Sequence, residues 1–259
     1  MEPVILQANN LRLSFGKVVA LNGISLEVRG GEILAIIGPN GAGKTSFLNC
    51  VAGFYTPDRG QIFFKGKDIT GFSAHRRARL GLGRTFQGIQ LFQRMSVLDN
   101  ILAGRHIHMK TNFLQSFLYW PWVVREEVEH ANVVEEIIDF LEMENIREAV
   151  VGDIGYGLRK RVDLGRALAL DPKILIMDEP LAGMNVEEKE DMARFILDIQ
   201  ESKKIPIVLV EHDMEVVMGL SQRVLVLDFG QKIAEGTPEN IVKDPAVIDA
   251  YLGEEYLIA

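Results

Sequence analysis

Hydrophobic positions along this chain repeat with two different periods, and the change from one to the other divides it. In the first thirty residues apolar and polar side chains alternate: Leu11, Leu13 and Phe15 share one face, and Ile24, Leu26 and Val28 resume the pattern after Gly23, which predicts strands. After a turn at Gly30-Gly31, the unbroken apolar run Ile33-Leu34-Ala35-Ile36-Ile37 suits a parallel strand buried on both faces. Gln61-Ile62-Phe63-Phe64, Lys65-Gly66-Lys67 and Asp68-Ile69 read as a hairpin. From Val124 the apolar positions Val128, Ala131, Val134, Ile138 and Leu141 step by three or four between glutamates, which predicts a long amphipathic helix inside a helical block spanning about 90 to 165. Beyond Asp171-Pro172, apolar runs at 174–177, 205–210 and 224–227 alternate with helical stretches from near Val186 and Asp213. An Asp228-Phe229-Gly230-Gln231 turn starts a last hairpin, and Pro238 opens a short helical tail. The pattern is α/β, with neither internal repeat nor low-complexity linker.

A length of 259 residues allows one large α/β domain, or a core with a smaller subdomain, without disulfide staples. Cys50 is the single cysteine, and no basic-then-apolar leader opens the chain, which together predict a reducing cytoplasm. Its place on the apolar side of a helix predicts a small buried hydrophobe. No apolar run approaches the roughly 18 to 20 residues of a membrane span; the nearest, Asn112 to Val124, is interrupted by Gln115, Ser116 and Pro121. A net charge of −8 argues against a general nucleic-acid binder. The basic run His75-Arg76-Arg77-Ala78-Arg79 reads as a solvated helix face, with contact to an acidic partner or to lipid head groups as the alternative.

Chemistry enters at Gly38-Pro39-Asn40-Gly41-Ala42-Gly43-Lys44-Thr45, a complete G-x-x-x-x-G-K-[ST] loop between the buried run and an amphipathic helix. Its glycines let backbone N–H groups turn toward an anion, and the helix that follows adds its positive end. Lys44 is placed for the β- and γ-phosphates of ATP and Thr45 for Mg²⁺. The strand Ile174 to Met177 ends in Asp178 and Glu179, which a period of two sends to different sides. Asp178 is expected to hold Mg²⁺, and Glu179 to reach the water that attacks the γ-phosphate. His212 ends another strand as a γ-phosphate contact or water-orienting group, and Gln87 closes a third, able to bridge Mg²⁺ and water.

These motifs, with the stretch Ile154 to Ala169 and Ala182-Gly183-Met184-Asn185, fall in the order found in ABC-transporter ATPase subunits, and the chain resembles that family over nearly its whole length. The resemblance implies a P-loop NTPase (RecA-like) core with an N-terminal antiparallel β subdomain and an inserted α-helical subdomain. It divides one ABC ATPase domain over 1–259 into a nucleotide-binding core at 1–88 and 166–236, a helical signature subdomain at 89–165 and a tail at 237–259. It also implies that Phe15 stacks on adenine, a core aromatic being the alternative, and that Ser46 joins the nucleotide contacts. Gly81-Leu82-Gly83-Arg84-Thr85-Phe86-Gln87, Val97-Leu98-Asp99-Asn100 and the ending from Glu235-Gly236-Thr237-Pro238 resemble the larger ATPase subunit of branched-chain amino-acid importers. The segment after Gly104 holds Trp120 and Trp122, read as filling the helical block or docking on a permease.

One departure from the family pattern stands out. Its Leu-Ser-x-Gly-Gln signature is here Ile154-Gly155-Tyr156-Gly157-Leu158, without the serine hydroxyl and the glutamine amide. Gly155, Gly157 and a helix rich in Arg159, Lys160, Arg161 and Arg166 are expected to offer amides and positive charge to a γ-phosphate. The function implied is an ATP-hydrolysing importer subunit on the inner face of the membrane. Its partners would be two transmembrane permeases, a second ATPase subunit (itself or a paralogue) and, indirectly, a periplasmic or extracellular solute-binding protein, with no nucleic acid. The alternatives are a regulatory or weakly hydrolysing partner in a heterodimer, and the ATPase of an exporter.

Overall fold

The alternation at the start of the chain folds as a long antiparallel pair, β1 (Val4–Phe15) and β2 (Val18–Arg29). In this computed structural model, which describes residues 2–109 and 121–257 with side chains at 2–109 and 125–251, β4 (Arg59–Phe64) and β5 (Lys67–Asp68) extend the pair to a four-stranded sheet of order β2-β1-β4-β5. Leu6 and Ala8, then Leu11 and Leu13, are buried at the spacing of two that the sequence pattern requires, the two pairs being offset by a register shift where Asn10 is left-handed at φ 50. Phe15 breaks the series: its residue is 48% exposed and its ring stands edge-on to Tyr55 at 5.3 Å, so it is not a core aromatic. Trp120 and the side chain of Trp122 lie outside the described residues.

A second sheet carries β3 (Ile33–Ile37), β6 (Leu82–Arg84), β7 (Ile174–Asp178), β8 (Ile207–Val210), β9 (Arg223–Asp228) and β10 (Gln231–Gly236). The order is β10-β9-β3-β8-β7-β6, with every pairing parallel except that of β10 on the edge. In β3, β7, β8 and β9 neighbouring residues serve different cores, which is why those runs are apolar. Leu34, Ile36, Ile174, Ile176, Val208 and Val210 pack under the antiparallel sheet with Phe47 and Leu48 of α1 (Lys44–Ala52). Leu175, Met177, Ile207 and Leu209 face α3 (Val97–Gly104), α4 (Pro121–Phe140), α5 (Tyr156–Leu168) and α6 (Val186–Lys203). Ala35, Ile37, Val224 and Val226 are covered by α7 (Met214–Leu220), α8 (Pro238–Ile241) and α9 (Pro245–Leu257). Each fully buried Leu or Ile contributes about 1.5–3 kcal/mol.

Two expectations need correction. The buried stripe of α4 and the turn after it runs through His130, Val134, Ile137, Ile138 and Leu141, whereas Val128 and Ala131 face water. At about 100° per residue, Val128 lies on the side opposite His130, so the sequence pattern had the right period with its first turns misphased. The basic run forms α2 (Ala74–Arg79), whose His75, Arg76 and Arg79 are exposed while Arg77 is only 1% exposed. The Arg77 guanidinium donates to the Cys50 and Val51 carbonyls at the end of α1, at 2.6 and 2.7 Å, and to those of Thr70 and Phe72, at 2.8 and 3.0 Å. Helix ends leave such carbonyls without intrahelical donors and carry negative charge, which is what a buried arginine satisfies there. Burial still pulls the pKa of Arg77 down to about 10.

Candidate active site

The loops that leave the carboxyl ends of β3, β6, β7, β8 and β9 meet along one edge of the sheet, where parallel α/β sheets bind ligands. The loop after β3 is closed by approaches that admit no side chain. A Cβ on Gly38 (φ 143) would stand 2.0 Å from the Leu227 carbonyl oxygen, and one on Gly43 (φ 99) would stand 2.5 Å from that of Ala20. The turn after β9 braces the loop, since the Gly230 N–H donates to the Ala42 carbonyl at 3.0 Å. Lys44 opens α1, is 7% exposed, and donates from its ammonium to the Gly38 and Pro39 carbonyls at 2.5 and 2.8 Å. The charge is therefore held inside the loop, with Asn40, Gly41 and Thr45 exposed and Ser46 half-buried around it. The first-turn amides of α1 add donors and the positive helix end.

Asp178 closes β7 at 1% exposure. Its Oδ2 lies 3.3 Å from Arg84 Nη2, while Oδ1 is buried without a hydrogen-bond partner among the described residues. Burial pushes this carboxyl above the usual range and Arg84 works against that. Arg84 also donates to Asn49 Oδ1 at 2.8 Å and lies over the rings of Phe54 and Phe86. Strand pleating is not what separates the two acids: β7 ends at Asp178, and Glu179 turns away in a left-handed conformation at φ 50. Its carboxylate meets both remaining candidates, with Oε1 2.7 Å from His212 Nε2 and Oε2 accepting from Gln87 Nε2 at 2.9 Å. Glu211, passed over in the sequence, is 4% exposed and accepts the Leu181 N–H at 2.9 Å, tying the acidic loop to β8. Burial raises its pKa. The signal was available: like Asp178, it ends a run of buried apolar residues.

Gly155 caps α5 in extended geometry without a side-chain bond, and a Cβ built on it meets nothing within 4 Å. A Cβ on Gly157 would stand 2.3 Å from Glu188 Oε1, so any larger residue there displaces the Glu188 side chain. Of the four cations of this helix, Arg159 alone ends at its N-terminal edge. Arg159 donates to the Ile154 and Gly152 carbonyls, Lys160 to that of Glu179, Arg161 pairs with Asp191, and Arg166 pairs with Asp163. All four are partnered within their own chain, so the turn presents backbone amides with the Arg159 charge beside them.

Comparison with known proteins agrees with this geometry. Residues 21–182 match the ABC transporter family model, and residues 231–256 match that of the branched-chain amino acid ATP-binding cassette transporter. The chain is 40% identical to the high-affinity branched-chain amino acid transport ATP-binding protein LivG of Salmonella typhimurium, over 98% of its own length and all of LivG. It is 37% identical to BraF of Pseudomonas aeruginosa, a protein of the same description, with the same coverage of both chains. Two crystal structures of ATP-binding cassettes from ABC transporters, one nucleotide-free and one in its ADP conformation, each align with a TM-score of 0.84. Their identities are 34% and 35%, over 97% and 98% of this chain and 99% of each of theirs. A phosphate loop, paired acids and a histidine on one sheet edge, within a chain so related over its whole length, identify it as a member of the ABC transporter family, an ATPase cassette of the branched-chain amino-acid branch.

Proposed function

We propose that this cassette powers uptake of branched-chain or other hydrophobic amino acids and that Glu179 activates the water that cleaves ATP. The observation that carries the reading is the pair of hydrogen bonds holding the Glu179 carboxylate, from His212 after one strand and Gln87 after another, on the edge that bears the phosphate loop. Amides from Gly38 to Ser46 receive the phosphates, and Lys44 exchanges two carbonyl partners for β- and γ-phosphate oxygens. Glu179 takes a proton from water as the water oxygen bonds to the γ-phosphorus and the bond to the β–γ bridging oxygen breaks, releasing ADP and phosphate. A base so placed accelerates the step by roughly 10²–10⁴. His212 orients that carboxylate and contacts the γ-phosphate, and exposed Phe15 offers its ring to adenine.

Mg²⁺ fits the donors present: the buried, unpartnered Asp178 Oδ1, the exposed Thr45 hydroxyl and the Gln87 amide. One carboxylate with neutral oxygens is the set magnesium accepts when phosphates complete its shell. Bound there, it neutralises charge on the β- and γ-phosphate oxygens. The amides at Gly155 and Gly157 serve ATP on the phosphate loop of a second ATPase subunit, and two permeases hold the pair at the inner face of the membrane. A solute-binding protein delivers to the permeases. No helix among the described residues is long and apolar enough to cross a membrane, in keeping with a subunit attached through others. The division into a core at 1–88 and 166–236, a helical part at 89–165 and a tail at 237–259 is supported by the buried cluster under the antiparallel sheet, which holds no residue of 89–165, while the cluster among the helices joins that part to β7, β8 and α6 of the core.

The test is uptake by the purified transport complex in proteoliposomes. ATP-dependent accumulation of labelled leucine is expected, and a complex that moves solute only outward, or ignores hydrophobic amino acids, overturns the reading. A second reading, a weakly hydrolysing partner in a heterodimer, is favoured by the bare cap at Gly155.

A further inference from the structure

Lys160 lies in the second turn of α5 and is 4% exposed. Its ammonium ends on main-chain carbonyls and not on a carboxylate: that of Glu179 at 2.9 Å and that of Gln87 at 3.5 Å. Burial disfavours this ammonium, and the carboxylates of Asp163, Glu211, Glu179 and Asp178 offset part of that penalty, although none of them lies within pairing distance among the described residues. The groups it holds account for its presence. Glu179 has φ 50, a conformation that residues with a Cβ adopt only under tertiary constraint. Its N–H is fixed by the Val210 carbonyl of β8 at 2.9 Å, and its own carbonyl is fixed by Lys160. The second acceptor belongs to Gln87, whose side-chain amide donates to the Glu179 carboxylate. One ammonium thus clamps the backbones of two residues that bond to each other through their side chains.

The same helix is held to the loop after Glu179, and to α6, beside this point. A Cβ on Gly183 would stand 3.0 Å from the Tyr156 ring, so ring and loop are in close contact, and Arg161 pairs with Asp191 at 2.5 Å. We propose that Lys160 is a positioning residue for Glu179, holding the left-handed backbone of Glu179 and the main chain of Gln87 in register with α5, so that displacement at Gly155–Gly157 is felt at the carboxylate. The inference rests on the reading of Glu179 as the group that activates water.

The experiment compares ATP turnover, KM for MgATP and thermal unfolding of the full chain with those of Lys160→Met. Turnover is expected to fall at least tenfold with KM within threefold, while the melting temperature falls by only a few degrees, since carbonyls lose a donor as the penalty of a buried cation is relieved. Turnover within twofold of the parent overturns the proposal. So does a loss that appears in KM, or one accounted for by the fraction of the variant unfolded at the assay temperature, since either marks a role other than positioning. Should Lys160→Met not fold, Lys160→Gln, which keeps a donor without the charge, is judged by the same criteria. Glu179→Gln measured alongside separates the two failures: if it keeps its turnover the reading of Glu179 is wrong, and if it alone loses turnover only the role of Lys160 is wrong.

Discussion

Replacing Arg77 by methionine keeps the length of a buried side chain and removes its donors. Four carbonyl oxygens lose this guanidinium; that of Cys50 keeps the Gly53 N–H at 3.2 Å, which leaves Val51, Thr70 and Phe72 deprived. A buried acceptor left without its donor costs about 1–3 kcal/mol; that of Val51 is buried and those of Thr70 and Phe72 are partly so, which puts the three together at about 3 kcal/mol. Losing a cation at the C-terminal end of α1 adds about 0.3–1 kcal/mol. Relief of arginine burial offsets part of this, so the net loss is about 3 kcal/mol, or roughly 6–12 °C in melting temperature at this chain length. Circular dichroism at 222 nm on heating, with urea titration, measures it. The exposed neighbour is the control: Arg79→Met should stay within about 0.5 kcal/mol. If Arg77→Met lies within about 1 kcal/mol of the parent, or if both substitutions cost the same, the capping role is refuted.

Cys50 is fully buried and its thiol is pushed up to about 11. The fold favours the protonated form, so the stability this gives is complete below the ordinary value of 9.0 and is lost as pH rises through about 11. A thiol reagent at pH 8 should therefore label only unfolded protein, and rapid labelling of the native chain would count against this environment. Asp178→Asn should abolish the enhancement of fluorescent ATP binding by Mg²⁺ and, by leaving Arg84 buried without its charge partner, cost about 3–5 kcal/mol; an undiminished Mg²⁺ effect would remove Asp178 from the metal site. Gly155→Ser fits open space and should shift stability by only a few tenths of a kcal/mol. Combined with Leu158→Gln it should raise turnover several-fold if this chain is the weaker partner of a heterodimer, and unchanged turnover would eliminate that reading.

The phosphate loop is legible because its residues are contiguous: its lysine bonds within the loop, and two of its glycines are dictated by close approaches to Leu227 and Ala20. The parallel sheet is legible for a related reason, since strands buried on both faces must be apolar without interruption. Asp178, Glu179 and His212 then declare themselves as polar residues at the ends of such runs. Arg77, Arg84 and Lys160 do not. Each is a cation that local pattern assigns to solvent, and each is buried because carbonyls or a carboxylate from distant segments converge on it. Nor can periodicity foresee the left-handed turn at Glu179, which depends on Val210 and Lys160 holding both of its main-chain groups. On α4 the period is plain and the phase is not, because partners that reach only the later turns decide which stripe is buried.

The chemistry assigned to Glu179 is tested most directly by single-turnover release of phosphate from saturating MgATP, with Glu179→Gln measured beside the parent. The substitution keeps the side chain's size and its neighbours His212 and Gln87 while removing the basic oxygen. Release slowed by roughly 10²–10⁴, with the dissociation constant for MgATP within threefold of the parent, is the predicted result. Release within a few-fold of the parent at unchanged affinity would contradict it.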